Sequence, residues 1–270
     1  MTHRDAQPLL SLSKISKRYG GVRALEDVDF SCSAGSIHAI LGENGAGKST
    51  LIKIMSGVVQ PDTGSMTLTG TPRRFLSPAE ANAAGVVCVF QELSLMPDLS
   101  VADNISIVGP PTRLGLIDAK AQRRRAEELL ASIGCEDVNP LLNVRDLPLS
   151  RRQMVEIAKA LGKKPQLLIL DEATSALTNS DVATIYEVLK RLRREGLSIL
   201  YISHRMHEIE ELADRASVFR NGRHIETFPM GRYGHGEIVE LMIGREISAQ
   251  YPPKVKRDRP APLFAVKNLS

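Results

Sequence analysis

The chain is poor in cysteine, with only Cys32, Cys88 and Cys135 among its 270 residues, widely spaced and with no C-x-x-C pair. That excludes a disulfide framework or a cysteine zinc site and points to buried or inert thiols in a reducing compartment. There is no run of 18 uncharged apolar residues and no apolar stretch of signal-peptide type at the N-terminus. Neither a membrane span nor a signal peptide is therefore expected, and any membrane role must come through a partner. Charge of one sign is not in excess. A formal net charge of +4 is too mild to demand nucleic acid or an anionic membrane as partner. What remains, 43% hydrophobic and 24% charged, is ordinary for a chain with a real core, long enough for one large domain or two small ones.

Against that plain background, residues 42–49 stand out: Gly42, Glu43, Asn44, Gly45, Ala46, Gly47, Lys48, Ser49. They match G-x-x-x-x-G-K-[ST], the Walker A or P-loop pattern. A triphosphate needs several backbone N–H groups aimed at one point, and side chains would block that approach. Gly42, Gly45 and Gly47 remove the obstruction and permit unusual φ/ψ. Lys48 brings a point charge to the β- and γ-phosphates, and Ser49 a hydroxyl to Mg²⁺. Residues 36–41 read as a short buried strand. Residues 48–56 read as a helix, with Gly57 placed to end it. The N-terminus of that helix would face the phosphates, where its dipole favours negative charge.

Taken in order, residues 1–8 read as a polar tail. Residues 9–19 and 28–33 read as strands, and residues 64–68 open a hairpin that turns near Gly70. A short helix is expected over 80–84 and a buried strand over 86–90, with Gln91 directly after it. From Leu93 to about Gly162 the pattern turns helical. Asp118 is placed to cap a helix, and Arg123–Glu127 and Arg124–Glu128 are i,i+4 pairs on its outer side. The run Arg123, Arg124, Arg125 is thereby read as a solvated helix face, not a nucleic-acid patch. Residues 153–161 form a second amphipathic helix. Residues 167–170 are continuously apolar, as in a parallel strand covered on both faces, and end at Asp171 and Glu172. A helix over 185–194, a strand over 198–202 ending near His204, a helix over 208–213, a strand over 216–219, a hairpin turn at Asn221 and Gly222 and a helix over 237–242 follow. Residues 251–262 hold four prolines and mixed charge with no apolar period, which reads as a linker. Residues 262–270 then repeat the apolar pattern of residues 8–16, as if a second copy of the domain were beginning.

Four polar positions thus stand at ends of buried runs: Lys48 with Ser49, Gln91, Asp171 with Glu172, and His204. In open parallel sheets, ligands collect outside the carboxyl ends of the strands, so all four are expected around one phosphate site. Asp171 closes an apolar strand, the Walker B arrangement, and can hold Mg²⁺ through its water shell. Glu172 is placed to act as general base on the attacking water. Gln91 could orient that water or reach Mg²⁺, and His204 could hydrogen-bond the γ-phosphate. Each alone could equally be a structural polar residue at a strand end; their joint occurrence in this order favours the site.

The same order, with Tyr19 ahead of it and the loop Ser175, Ala176, Leu177, Thr178 after Glu172, resembles the nucleotide-binding domain of an ABC ATPase over roughly residues 9–244. Within it, residues 153–161, 201–205, 219–222 and 243–246 are similar to ribose/galactose-type sugar importers, whose ATPases carry two such domains in one chain. The resemblance implies an α/β P-loop NTPase fold: a RecA-like parallel-sheet core, an antiparallel β subdomain and a helical subdomain at about 93–162. The nucleotide-binding domain would occupy 9–249 and the linker 250–261, with 262–270 the first strand of a truncated second ABC domain. By position, Tyr19 would stack on adenine. Residues 42–49 and Thr50 would bind ATP, and Ser49, Gln91 and Asp171 would serve Mg²⁺. Glu172 would be the base, and His204 the γ-phosphate switch. Gln91 would also couple the site to transmembrane permease subunits through the helical subdomain. The implied partners are the second ABC domain, head-to-tail, the permease and, indirectly, a periplasmic sugar-binding protein. The place would be peripheral, on the cytoplasmic face of the cell membrane, with no nucleic acid partner.

One departure matters. The family's signature, L-S-G-G-Q or L-S-I-G-Q, should occupy residues 147–151, which here are Leu147, Pro148, Leu149, Ser150 and Arg151. A signature presents backbone N–H and a serine hydroxyl to the γ-phosphate held by the opposite domain. Pro148 removes a donor and Ser150 restricts close approach. Two further function classes remain open: a soluble ABC ATPase of translation or DNA repair, and a module that binds ATP but hydrolyses little. The first would need zinc cysteines, a long coiled-coil insertion or a strongly basic arm, none of which the sequence shows.

Overall fold

The computed structural model describes residues 8–174, 177–203 and 205–244. The linker at 250–261 and the repeat strand at 262–270 lie outside them, as do residues 1–7, Ser175, Ala176 and His204. Pro8, expected in the tail, is the first residue of a strand.

The chain opens with β1 (Pro8–Tyr19) and β2 (Val22–Ser33), a long antiparallel hairpin. Then come β3 (Ile37–Leu41), α1 (Lys48–Met55), β4 (Thr63–Leu68) and β5 (Thr71–Arg73). Next are α2 (Pro78–Ala83), β6 (Val86–Val89), α3 (Val101–Ser106), the hairpin β7 (Thr112–Arg113) and β8 (Leu116–Ile117), and α4 (Ala119–Ser132). After a short 3-10 turn at Val144–Asp146 follow α5 (Leu149–Leu161), β9 (Leu167–Asp171), α6 (Asn179–Arg194) and β10 (Ser198–Ile202). The described chain closes with α7 (Met206–Leu212), β11 (Arg215–Arg220), β12 (Arg223–Pro229) and α8 (His235–Ile243).

The central sheet has six strands in the order β12-β11-β3-β10-β9-β6. All are parallel except β12, which returns antiparallel to β11. The smaller sheet, β2-β1-β4-β5, is wholly antiparallel. Strand β9 shows why its sequence does not alternate. Leu168 and Leu170 enter the cluster formed with α5 and α6, whereas Leu167 and Ile169 enter the one formed with α1 and the antiparallel sheet. Both faces are covered, so each position is apolar. Burial of a leucine here is worth about 1.5–3 kcal/mol, so the run fixes this strand in the middle of the molecule.

The caps agree with the sequence where a short polar side chain precedes a helix. Asp118 accepts from the Ala121 N–H and starts α4, and Arg123–Glu127 lies on its outer side at 2.8 Å. Three expectations are corrected. The stretch 93–162 is not helical throughout, because β7 and β8 pair across a two-residue turn in which Leu114 and Gly115 both have positive φ (54° and 81°), the geometry of a tight hairpin. Helix α5 begins at Leu149, not 153, with Pro148 as its N-cap at φ −64°, a value proline holds anyway. Helix α6 begins at Asn179, because the Thr178 hydroxyl caps the Asp181 N–H.

Candidate functional site

The parallel strands deliver their carboxyl ends to one edge of the sheet. Ile202 of β10 lies opposite Asp171 of β9, and Val89 of β6 opposite Leu170. Gln91 and Glu172 are therefore neighbours although 81 positions apart in sequence, and Gln91 Nε2 donates to Glu172 Oε2 at 3.0 Å. Strand β3, between β10 and β11, runs directly into the glycine-rich loop and α1.

The loop's glycines are needed for two reasons. Gly42 has φ 151°, and a Cβ there would lie 2.4 Å from the Phe219 carbonyl oxygen; Gly47 has φ 103°, and its Cβ would lie 2.7 Å from the Ala24 carbonyl oxygen. The crowding thus comes from the protein's own backbone in β11 and β2 and not only from a ligand. At Gly45 the surroundings are open, so conformational freedom alone is at stake there. Helix α1 starts without a side-chain cap and without an acidic residue in its first turn, leaving its N-terminal N–H groups and dipole to an anion.

Lys48 Nζ donates to the Gly42 and Glu43 carbonyls at 2.7 and 3.0 Å, which strings the ammonium across the mouth of the loop. Burial lowers the Lys48 pKa, opposed by the charges of Asp171 and Glu172. Burial likewise raises the Asp171 pKa, and the neighbouring Glu172 charge raises it further, opposed by Lys48 and Lys53. Lys48 and Asp171 therefore stabilise one another's charged forms across the site. Lys48 and Glu172 both line a cavity of about 710 Å³, together with Leu41, Gly42, Glu43, Asn44, Ile202 and Ser203. The far wall is Met206 of α7 and His235, Val239 and Met242 of α8. Nothing in the sequence signalled these four, because α8 follows the loop by nearly 190 residues and has an ordinary helical pattern.

Among the described residues no cluster of three or more His, Cys, Asp or Glu is placed to hold a metal. The oxygen donors at hand, the Ser49 hydroxyl, the Asp171 carboxylate and the Gln91 amide, suit a hard cation that keeps waters and shares phosphate oxygens, the habit of Mg²⁺. Ser49 is exposed at the first turn of α1. Gln91 is engaged by Glu172, not Asp171. Tyr19 is 46% exposed at the end of β1, with Lys17 Nζ 5.7 Å from its ring centre, and is not among the residues lining the cavity. His204 lies outside the described residues.

The segment 147–151 is fixed within its own domain. Leu147 is buried, whereas Leu149 is 55% exposed at the first position of α5. Arg151 turns away from the helix start: its guanidinium binds Asp137 at 3.0 Å and Asp181 at 2.8 Å. Arg152 donates to the Leu147 and Arg145 carbonyls. The Arg151 side chain is therefore held by acids of its own domain.

A parallel sheet with a P-loop at the carboxyl end of a central strand, and an acidic pair beside it, defines a P-loop nucleotide-binding fold. The model of the ABC transporter family matches residues 25–175, more than half of the chain, and the protein belongs to that family. It is 67% identical over 250 residues to ribose import ATP-binding protein RbsA 1 of Mesorhizobium japonicum, covering 93% of this chain and 48% of that protein. It is 61% identical over 266 residues to the protein of the same name in Rhizobium etli, covering 98% and 52%. The chain thus spans about half the length of the curated relatives it matches. Among solved structures it is similar to a nucleotide-free ATP-binding cassette from an ABC transporter, at 22% identity and a TM-score of 0.75, covering 88% of this chain and 96% of that one. The ADP form of the ABC transporter cassette MJ1267 is comparably alike, at 24% identity and a TM-score of 0.73, covering 89% and 100%.

Proposed function

We propose that this chain is the N-terminal ATP-binding and ATP-hydrolysing domain of a tandem ABC protein that drives import of a monosaccharide, ribose or a close relative, through a membrane permease. The observation that carries the reading is the meeting of Lys48, Glu172 and Gln91 at the carboxyl edge of the sheet, beside a glycine-rich loop. In this role the N–H groups of residues 42–50 and the Lys48 ammonium bind and orient the phosphates. Ser49, Asp171 and Gln91 hold Mg²⁺, which when bound neutralises charge on the β- and γ-phosphates. Glu172 takes the proton of the attacking water, with Gln91 orienting both. Tyr19 stacks on adenine, and His204 contacts the γ-phosphate.

The domain boundaries belong to the same proposal: an ABC domain over 9–249, a linker over 250–261 and a second domain from 262, packed head-to-tail on the first. The helical subdomain, about 93–162, transmits the state of the site to the permease at the cytoplasmic face of the membrane. A periplasmic sugar-binding protein supplies the cargo. Because residues 147–151 lack the features of a working signature, one hydrolytic site is proposed per tandem chain, built from this domain's Lys48, Asp171, Glu172 and His204 and the second domain's signature. The same segment favours a second reading for this half by itself, a module that binds Mg-ATP and turns it over slowly. Steady-state ATPase assays of the full-length chain and of residues 1–270, each with Glu172→Gln, test both. Turnover in the full chain that stops in the variant is the expected result. Full-chain turnover untouched by Glu172→Gln refutes the single-site assignment.

A further inference from the structure

Glu208 on α7 is completely buried, yet no step proposed above uses it. A carboxylate in such a place is costly unless it is well bonded. Its Oε2 accepts from the hydroxyls of Tyr201 (2.6 Å), Ser203 (2.7 Å) and Thr174 (3.0 Å), while Arg205 Nη1 lies 3.3 Å from Oε1. Burial pushes the Glu208 pKa up, but the three hydroxyl bonds and the Arg205 charge outweigh it, so that the group stays below its ordinary value and charged.

The donors come from two segments that border the nucleotide site. Thr174 stands two residues after Glu172. Ser203 lines the cavity and also accepts from the Arg205 N–H at 3.0 Å, so Glu208 holds the residues on either side of position 204. Glu172 itself has φ 52°, a left-handed conformation unfavourable to a residue with a Cβ, so that its surroundings help to hold it. Two attachments do so. The Glu172 N–H donates to the Ile202 carbonyl at 3.0 Å, and Thr174 is tied to Glu208. Ile202 is followed by Ser203, which is also on Glu208, so one carboxylate closes a ring through both segments.

We propose that Glu208 is a positioning residue for hydrolysis. It holds the strained turn at Glu172 in register with the end of β10 and so keeps the Glu172 carboxylate beside Gln91 at the cavity. It acts through Thr174 and Ser203 and touches no phosphate. The inference rests on the ATP-hydrolysis reading above.

The test uses the full-length chain and Mg-ATP. Glu208→Gln keeps the shape but replaces an acceptor with a donor facing a row of hydroxyls; Thr174→Val removes one of the three donors to Glu208, together with the Thr174 contact to the Tyr201 hydroxyl. For Glu208→Gln the expected result is a fall in kcat of at least tenfold, with KM for ATP and the number of ATP-binding sites per chain within about twofold of wild type. For Thr174→Val it is a smaller fall with the same pattern. A folded Glu208→Gln that turns over as wild type overturns the proposal, as does a change confined to KM. If Glu208→Gln does not fold, an unchanged kcat in Thr174→Val overturns it. Glu172→Gln, run in parallel, separates the two readings. If it stops turnover while both other variants match wild type, only the role of Glu208 is lost. If wild type shows no turnover, or Glu172→Gln leaves it unchanged, the hydrolysis reading falls and takes this inference with it.

Discussion

Gln91 and Glu172 follow the adjacent parallel strands β6 and β9, and the Gln91 amide donates to the Glu172 carboxylate at 3.0 Å. The bond makes one unit of a residue that can orient water and one that can take its proton. It also predicts what a second acid at position 91 does. Two carboxylates at that spacing resist ionising together, so in Gln91→Glu the acid limb of the kcat/KM profile moves to higher pH by about one unit or more. Gln91→Ala lowers kcat without that displacement. A pH–rate series on the three proteins checks it, and superimposable acid limbs for wild type and Gln91→Glu contradict it.

The segment behind Gln91 is clamped to α5 by buried charges. Ser94 Oγ and N–H donate to the two oxygens of Glu156 at 2.5 and 3.2 Å, and Lys159 Nζ reaches Ser94 Oγ at 2.8 Å and its carbonyl at 3.0 Å. Glu156 and Lys159 are 6% and 8% exposed, so removing one strands the other. Glu156→Ala is expected to cost about 3–5 kcal/mol, and the joint change Glu156→Leu with Lys159→Met to recover most of it. Denaturant midpoints of the three proteins provide the measurement. A joint variant no more stable than Glu156→Ala would count against a buried clamp.

His38 of β3 makes acid stability a sequence-readable property only in hindsight. Its ring nitrogen Nε2 meets Ser217 Oγ at 2.8 Å in the core. Burial, then the charges of Arg215 and His224, lower its pKa from 6.5 to about 3. Between those values the unfolded chain binds the proton and the folded one does not, so stability rises with pH across this window. The contribution is complete above pH 6.5 and is lost as the pH falls below it, by about 1.4 kcal/mol per unit at most. Unfolding free energies at pH 7 and 5 are thus expected to differ by roughly 2 kcal/mol from this group, and the difference should shrink in His38→Asn.

Restoring the signature sets catalysis against stability. Pro148→Ser with Ser150→Gly and Arg151→Gln supplies the missing donor, room and amide, but Arg151→Gln removes the ion pairs to Asp137 and Asp181. Because these are partly exposed, each is worth about 0–1 kcal/mol. Phosphate release by the full-length triple variant should rise, while its thermal midpoint falls by a few degrees. An unchanged rate from a folded triple variant would show that this segment does not limit the cycle.

The sequence disclosed what is written locally. The P-loop, the Asp118 cap, the two-faced apolar run of β9 and the Asn221–Gly222 turn, with φ 52° and 75°, each follow from a few adjacent residues. The β7–β8 hairpin was hidden because only Gly115 announces it and Leu114 adopts positive φ without local encouragement. The early start of α5 was hidden because the apolar period that marks the helix begins only at Met154, while Pro148 serves as its cap. The far wall of the cavity depends on α8 meeting a loop far away in sequence, and the Glu208 ring on Thr174, 34 positions off, contacts that no local window of sequence contains. The family model's match placed the chain where the motif order had pointed.

The turn at Glu172 has a consequence for how the protein ages with heat. A residue held at φ 52° by its surroundings is expected to relax once they loosen, before the hydrophobic cores come apart. Warming should therefore stop the proposed ATP turnover below the melting temperature, leaving a protein that is folded, still able to take up nucleotide, and idle.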